Sequence, residues 1–167
     1  MSMAQTAQSM KDDMKRVYYS PDHVNSCLLE IARQMYKDNF HPKCIVGLAR
    51  GGLVPGVKLS HYLDIPFYAL NKDESNFWLA EDALEGTEML VIDDINDTGK
   101  TINELKEDWA ESHGEWDKIF NVGNVKFAVL INNEASEVEV NYTGLSINKV
   151  ENPEWCVFPW EEWWTAD

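Results

Sequence analysis

Five residues, Cys44-Ile45-Val46-Gly47-Leu48, are apolar without a break and stop at Ala49-Arg50-Gly51-Gly52. Such a run is short for a helix and shows no polar alternation, so both of its faces need cover. That is the pattern of a strand inside a parallel sheet. Ile65–Leu70, Glu88–Ile92 and Val125–Ile131 read as three further strands. Helical patterns separate them. Ser20-Pro21-Asp22 supplies a capping hydroxyl and a proline at a helix start, and Val24, Leu28, Ile31 and Met35 follow at helical spacing until His41-Pro42. Val54–Leu63, with Pro55 in its first turn, and Thr98–Ser112 read as helices. Asn71–Gly86 is polar and reads as a loop that closes over a site. The alternation predicts an α/β fold: a parallel twisted sheet with helices on both faces. Ligands of such sheets bind beyond the C-terminal ends of the strands. Two strand ends are chemically unusual, Ala49–Gly52 and the segment after Ile92, and both belong on that edge.

The 167 residues, 44% of them apolar, suffice for one domain with a proper core. No apolar run approaches the roughly 18 residues of a membrane span. The opening MSMAQTAQSMKDDMK is polar, has no apolar signal-peptide region, and reads as a frayed start or short helix on a cytosolic protein. Cys27, Cys44 and Cys156 are odd in number and widely spaced. They suit neither a zinc site nor a disulfide framework, and are expected to be reduced and mostly buried. The net charge of −15 repels nucleic acid and anionic membranes. A phosphate-bearing ligand must therefore be held by local features: backbone amides, a cation or two, or a metal.

The stretch VIDDINDTGKT, Val91 to Thr101, offers such features. Gly99-Lys100-Thr101 matches the end of a nucleotide-binding P-loop, but that motif needs glycine where Asp94 stands, so the match fails. A strand-to-helix turn at Asp97–Thr101 instead presents successive backbone N–H groups. Gly99 allows a conformation or close approach denied to larger residues. The helix start adds partial positive charge suited to a phosphate monoester. Asp93 and Asp94 nearby suit diol hydroxyls or a magnesium ion with its waters. Phosphate at one end and a vicinal diol in the middle describe a ribose 5-phosphate.

This stretch closely resembles the phosphoribosyl pyrophosphate (PRPP) signature of type I phosphoribosyltransferases. Ala49-Arg50-Gly51-Gly52-Leu53-Val54-Pro55-Gly56 resembles that family's pyrophosphate loop, most closely in the xanthine–guanine branch. Trp155-Cys156-Val157-Phe158-Pro159-Trp160-Glu161 resembles the purine-side hood of the microbial 6-oxopurine enzymes. The likeness spans roughly residues 43–161. It implies a single domain over residues 1–167, with a core at about 20–133 and a small C-terminal hood at about 134–167 that draws on N-terminal residues. It implies that Asp93 and Asp94 hold ribose hydroxyls and orient Mg2+, and that Asp97, Thr98, Gly99, Lys100 and Thr101 cradle the 5′-phosphate. Asp97 would also handle the proton of the purine ring nitrogen, while Arg50 and Gly51 receive pyrophosphate. The family often has a cis peptide before this arginine, here Ala49–Arg50.

One departure concerns the base. Asn133 stands where the xanthine–guanine branch has a lysine for the purine 6-oxygen; Asn133 itself, or Lys149 in the hood, is expected to bind the base by donating to that oxygen. Of seven tryptophans, four lie between residues 155 and 164. Trp155 is the one expected against the base, the others serving packing or a subunit contact. The segment 71–86 has no arginine and only Lys72 as a cation. The implied function is transfer from PRPP to a free purine, 6-oxopurine favoured, in the cytoplasm. The implied partners are PRPP and a nucleobase, with no nucleic acid or membrane, in a homodimer or homotetramer. Two alternatives keep the donor site: an adenine or pyrimidine acceptor, or a non-enzymatic PRPP-sensing regulator.

Overall fold

The structure, a computed structural model, describes residues 2–5, 14–71, 77–113 and 123–165. Seven strands and four helices follow in the order β1 (Lys15–Tyr18), α1 (Pro21–Lys37), β2 (Cys44–Leu48), α2 (Leu53–Leu63), β3 (Phe67–Leu70), α3 (Phe77–Leu84), β4 (Met89–Asn96), α4 (Lys100–His113), β5 (Val125–Asn133), β6 (Tyr142–Ile147) and β7 (Glu154–Val157). A short 3-10 turn, Trp163–Thr165, comes last. Five strands form one parallel sheet in the order β3-β2-β4-β5-β6. The other two, β1 and β7, make a separate parallel pair.

The apolar strands are sandwiched as their composition demands. Ile45, Leu90, Ile92 and Leu130 pack on one face against α1 and α2 through Leu28, Ile31 and Leu59. Val46, Met89, Val91 and Phe127 point the opposite way, against Leu79 of α3 and Ile102, Leu105 and Trp109 of α4. Alternate residues of each strand thus enter different cores. The three cysteines are buried and free. Among the described residues, no helix is long and apolar enough to cross a membrane.

Several boundaries differ from the sequence reading. Helix α1 stops at Lys37, before His41-Pro42, because Asn39 turns left-handed (φ 53°) and Phe40 folds back into the core. At the other end Ser20 caps the helix with His23 as its reciprocal partner. Strand β3 begins at Phe67 because the preceding Ile65 N–H still bonds Ser60 O at the end of α2. Strand β4 continues past Ile92 to Asn96, its register with β5 unbroken through Asp93↔Val129 and Asn96↔Asn132. The expected loop at 71–86 contains helix α3, whose Leu79, Ala80 and Ala83 are buried. Lys72 lies outside the described residues. The segment after residue 134, expected to be a small hood, holds β6, which completes the main sheet, and β7.

β6 is an edge strand, and α1 covers part of its open side. Gln34 Nε2 donates to Thr143 O at 2.8 Å, and Thr143 N–H donates to Gln34 Oε1 at 3.1 Å. One side-chain amide thereby satisfies the backbone groups that a sixth strand would otherwise take. Gln34→Met keeps the shape and loses both bonds, so the protein is expected to lose about 1–3 kcal/mol. Urea denaturation would show this as a lower midpoint at unchanged slope.

Candidate active site

The ends of β2 and β4 lie side by side, and two loops leave from them. The first opens with a cis Ala49–Arg50 peptide, and Ala49 N–H donates to Leu70 O at 3.0 Å. The Arg50 side chain is exposed. Gly51 packs directly on the Asp94 carboxylate, so closely that a Cβ would overlap it. Only glycine lets the first loop come this near the second.

Near the end of β4, just before the second loop, Asp94 N–H donates to Asp93 Oδ1 at 2.8 Å, and Ile95 N–H donates to Asp94 Oδ1 at 2.7 Å. The second oxygen of each carboxylate is outside these bonds. Burial, and next the Asp94 charge, push the Asp93 carboxyl well above its ordinary value. Burial likewise raises Asp94. These are hard oxygen donors whose charges are costly together, so a cation suits them. Among the described residues no group of three or more His, Cys, Asp or Glu converges to hold a metal. A magnesium ion here would complete its shell from water and ligand oxygens, the usual manner for Mg2+.

The loop then turns into α4. Gly99 has φ +92°, and a Cβ there would come within 2.7 Å of Val138 Cγ2. Both the turn and the packing therefore exclude a side chain. Lys100 N–H donates to Thr98 Oγ1 at 3.3 Å. Residues 93–102 line a cavity of about 150 Å³, closed by the helix start. Thr98, Lys100 and Thr101 are exposed. The Lys100 ammonium lies 3.8 Å from Glu104 on the same helix, a weak surface pair.

The residues suggested for the base are also near this loop. Lys149 Nζ lies 3.1 Å from Asp97 Oδ2 and 5.5 Å from the centre of the Trp155 ring. Asn133 is only 6% exposed, and its amide is committed to protein groups. Its Nδ2 donates to Asp97 O at 2.9 Å and faces Asp97 Oδ1 at 3.4 Å, while its Oδ1 accepts from Lys149 N–H at 3.1 Å. A hollow of about 610 Å³ opens beside Asp97, Asn133 and Val150. Trp160 stacks on Phe158 instead, with ring centres 5.1 Å apart, and Trp163 and Trp164 are exposed.

Sequence reasoning passed over the wall behind the phosphate loop. Asn96, 3% exposed, donates to Asn132 Oδ1 and Val138 O and accepts from Ser136 Oγ. Glu137 N–H donates to Thr98 O at 3.1 Å. The β5–β6 connection is thus tied to the loop that it supports. The one hint was a polar residue, Asn96, inside the loop string.

The phosphoribosyl transferase domain description matches residues 22–166. The chain belongs to that family. Among curated relatives, the xanthine-guanine phosphoribosyltransferase of Cereibacter sphaeroides is 26% identical over 136 residues, 74% of this chain and 72% of the relative. That of Nitratidesulfovibrio vulgaris is 28% identical over 128 residues, 71% of this chain and 69% of the relative. The crystal structure of a purine phosphoribosyltransferase from Pyrococcus horikoshii superposes with a TM-score of 0.64 at 26% identity, covering 89% of this chain and 96% of the other. Fold and family therefore agree with the resemblance read from the motifs.

The buried acid pair has a measurable cost. A carboxyl whose folded value is raised stabilises the fold only while protonated, below the unfolded value of about 3.9. That contribution disappears as pH climbs through the raised folded value. Asp93→Asn is therefore expected to raise the melting temperature of the ligand-free protein at neutral pH. The gain should shrink toward zero by about pH 4. Calorimetry across this range checks it, and a gain that grows in acid would contradict the burial argument.

Proposed function

We propose that the chain transfers the phosphoribosyl group of PRPP to a purine, 6-oxopurine favoured, yielding a nucleoside 5′-monophosphate and pyrophosphate. The observation that carries this reading is the junction of the two loops: Gly51 against Asp94, beside a glycine-turned helix start. One PRPP molecule carries the groups that each part suits. The 5′-phosphate takes the backbone N–H groups of Asp97 to Thr101 and the hydroxyls of Thr98 and Thr101. The ribose hydroxyls meet Asp93 and Asp94, and the pyrophosphate meets Arg50 and the Gly51 backbone. Asp93 and Asp94 would hold a magnesium ion, which would supply charge neutralisation for the leaving pyrophosphate.

The chain's own groups account for the rest. Arg50 attracts the charge that gathers on the leaving group as the bond to C1′ breaks. Asp93 and Asp94 favour the positive charge that builds on the sugar. Asp97 accepts the proton on the purine N7, which is lost as N9 bonds to C1′. Trp155 supplies an aromatic wall, and Lys149 a donor for the 6-oxo group.

Labelled PRPP with guanine, hypoxanthine, xanthine, adenine, uracil and orotate tests the reading, and the 6-oxopurines are expected to give product fastest. Preference for adenine or a pyrimidine would remove the hood assignment. Binding of PRPP without product from any base would favour a sensor.

Two sets of variants test the roles. Asp97→Asn is expected to lower kcat by about 10²–10⁴-fold, the usual contribution of a positioned acid/base. Arg50→Ala should weaken pyrophosphate binding and leave ribose 5-phosphate binding nearly unchanged, as calorimetric titration would show. Equal losses for both ligands would indicate a folding defect instead.

A further inference from the structure

Asn133 is the last residue of β5, and three separate segments meet on its side chain. Nδ2 donates to the main-chain oxygen of Asp97 in the β4–α4 loop at 2.9 Å. Oδ1 accepts the N–H of Lys149, from the β6–β7 connection, at 3.1 Å, and that of Ala135 at 3.3 Å. This pattern fixes the orientation of the amide, since the flipped form would set donor against donor. The Lys149 side chain is 11% exposed, and its ammonium reaches Asp97 Oδ2 at 3.1 Å. Main chain and side chain of Lys149 therefore close a ring through Asn133 and Asp97. Asp97, at 41% side-chain exposure, is the member of the ring that faces the ligand space.

We infer that Asn133 is a positioning residue that sets the spacing of the Lys149 ammonium and the Asp97 carboxylate offered to the base edge. It does this without touching the base. The inference rests on the phosphoribosyl-transfer reading. A donor beside an acceptor complements a base edge that carries a carbonyl oxygen beside a ring nitrogen losing its proton. A purine with an amino group in place of the 6-oxygen would set donor against donor at Lys149. Asn133 suits its task because a short amide donates and accepts at once, adding no charge next to Asp97. Loss of the amide frees the Asp97 loop and the Lys149 main chain together, so discrimination falls although no base contact has been removed.

A double-mutant cycle on Asn133→Ala and Lys149→Ala tests this, with kcat/KM measured for guanine and adenine and KM for PRPP. Each single variant is expected to lower the guanine-to-adenine ratio on the order of 10-fold to 100-fold, the usual effect of misplacing a reacting group. The double variant should fall no further, because Asn133 acts through Lys149. KM for PRPP should change much less than the guanine-to-adenine ratio in Asn133→Ala, since Asn133 bonds Asp97 and not the cradle residues Thr98 to Thr101. Additive losses would mean that Asn133 reads the base itself. Equal losses for both bases and for PRPP would mean a merely structural role, and either result overturns the inference. If Asn133→Ala does not fold, Asn133→Asp carries the test. It keeps the acceptor for Lys149 and Ala135 but turns an acceptor toward Asp97, so kcat should fall more than base KM rises. A fall in base affinity with unchanged kcat would overturn the inference. A wild-type protein that turns over no base sinks the transfer reading itself, whereas an active wild type with an additive cycle sinks only this one.

Discussion

Strand β4 is paired on both edges and covered on both faces, so its polar groups can reach solvent only where the strand ends. Asp93 and Asp94 follow Ile92, the last residue paired with β2, while β4 goes on pairing with β5 through Asp93, Ile95 and Asn96. Burial raises the proton affinity of both acids, and the Asp94 charge adds to it at Asp93. The fold is therefore less stable there than it would be with neutral groups, and a cation or hydroxyl-rich ligand offsets the cost. Gly51 adds to the constraint, because the neighbouring loop can approach Asp94 only without a side chain. Arg50 is thus brought to the edge by a backbone that has no freedom to sit elsewhere.

Around these acids the support consists largely of amides. Asn96 and Asn133 are both nearly inaccessible, and each bridges the β4–α4 region to the β5–β6 connection. Carboxylates in these places would add repulsion beside Asp93, Asp94 and Asp97. Ammonium groups would compete for them. Asparagine satisfies donors and acceptors together and leaves the local charge alone. The backing segment also crowds Gly99 with Val138 and Ser136, which holds the turn against the helix start. The β4–α4 loop is thereby built from the strand before it and braced by the one beside it.

The local parts of this architecture were legible in the sequence. Cys44–Leu48 occupies β2 to the residue, because an uninterrupted apolar run stopped by glycines has few alternatives. Ser20 and Pro21 marked the start of α1 for equally local reasons. The acids of β4 misled the reading of its end, since polar side chains suggested a loop while the main chain was still pairing. Strands β1, β6 and β7 were missed because they depend on remote partners: Arg16 pairs with Trp155, and Thr143 with Val129 and Gln34. Helix α3 was hidden by the polar residues ahead of it. At the site, the acid pair, the turn and Arg50 were legible as a string. The commitment of Asn133 to Asp97, 36 residues away, was not.

Stacking and an ion pair fasten the C-terminal segment to the N-terminal residues. Tyr19 stacks on Phe158 at 5.6 Å and Phe158 on Trp160 at 5.1 Å, so Trp160 is spent on packing. Arg16 reaches Glu162 at 2.6 Å and fastens the strand beside β7 to the tail. Trp155 lies on β7, the partner of that strand, with the Lys149 ammonium 5.5 Å from its ring centre. Ammonium, ring and Asp97 form one electrostatic group, since the cation is attracted to the ring face and to the carboxylate. On the proposed reading, a base that enters must share this ammonium rather than merely stack on the ring. Stacking alone accepts any aromatic base. The choice among bases then depends on how firmly Lys149 is held, and its main chain is held by Asn133.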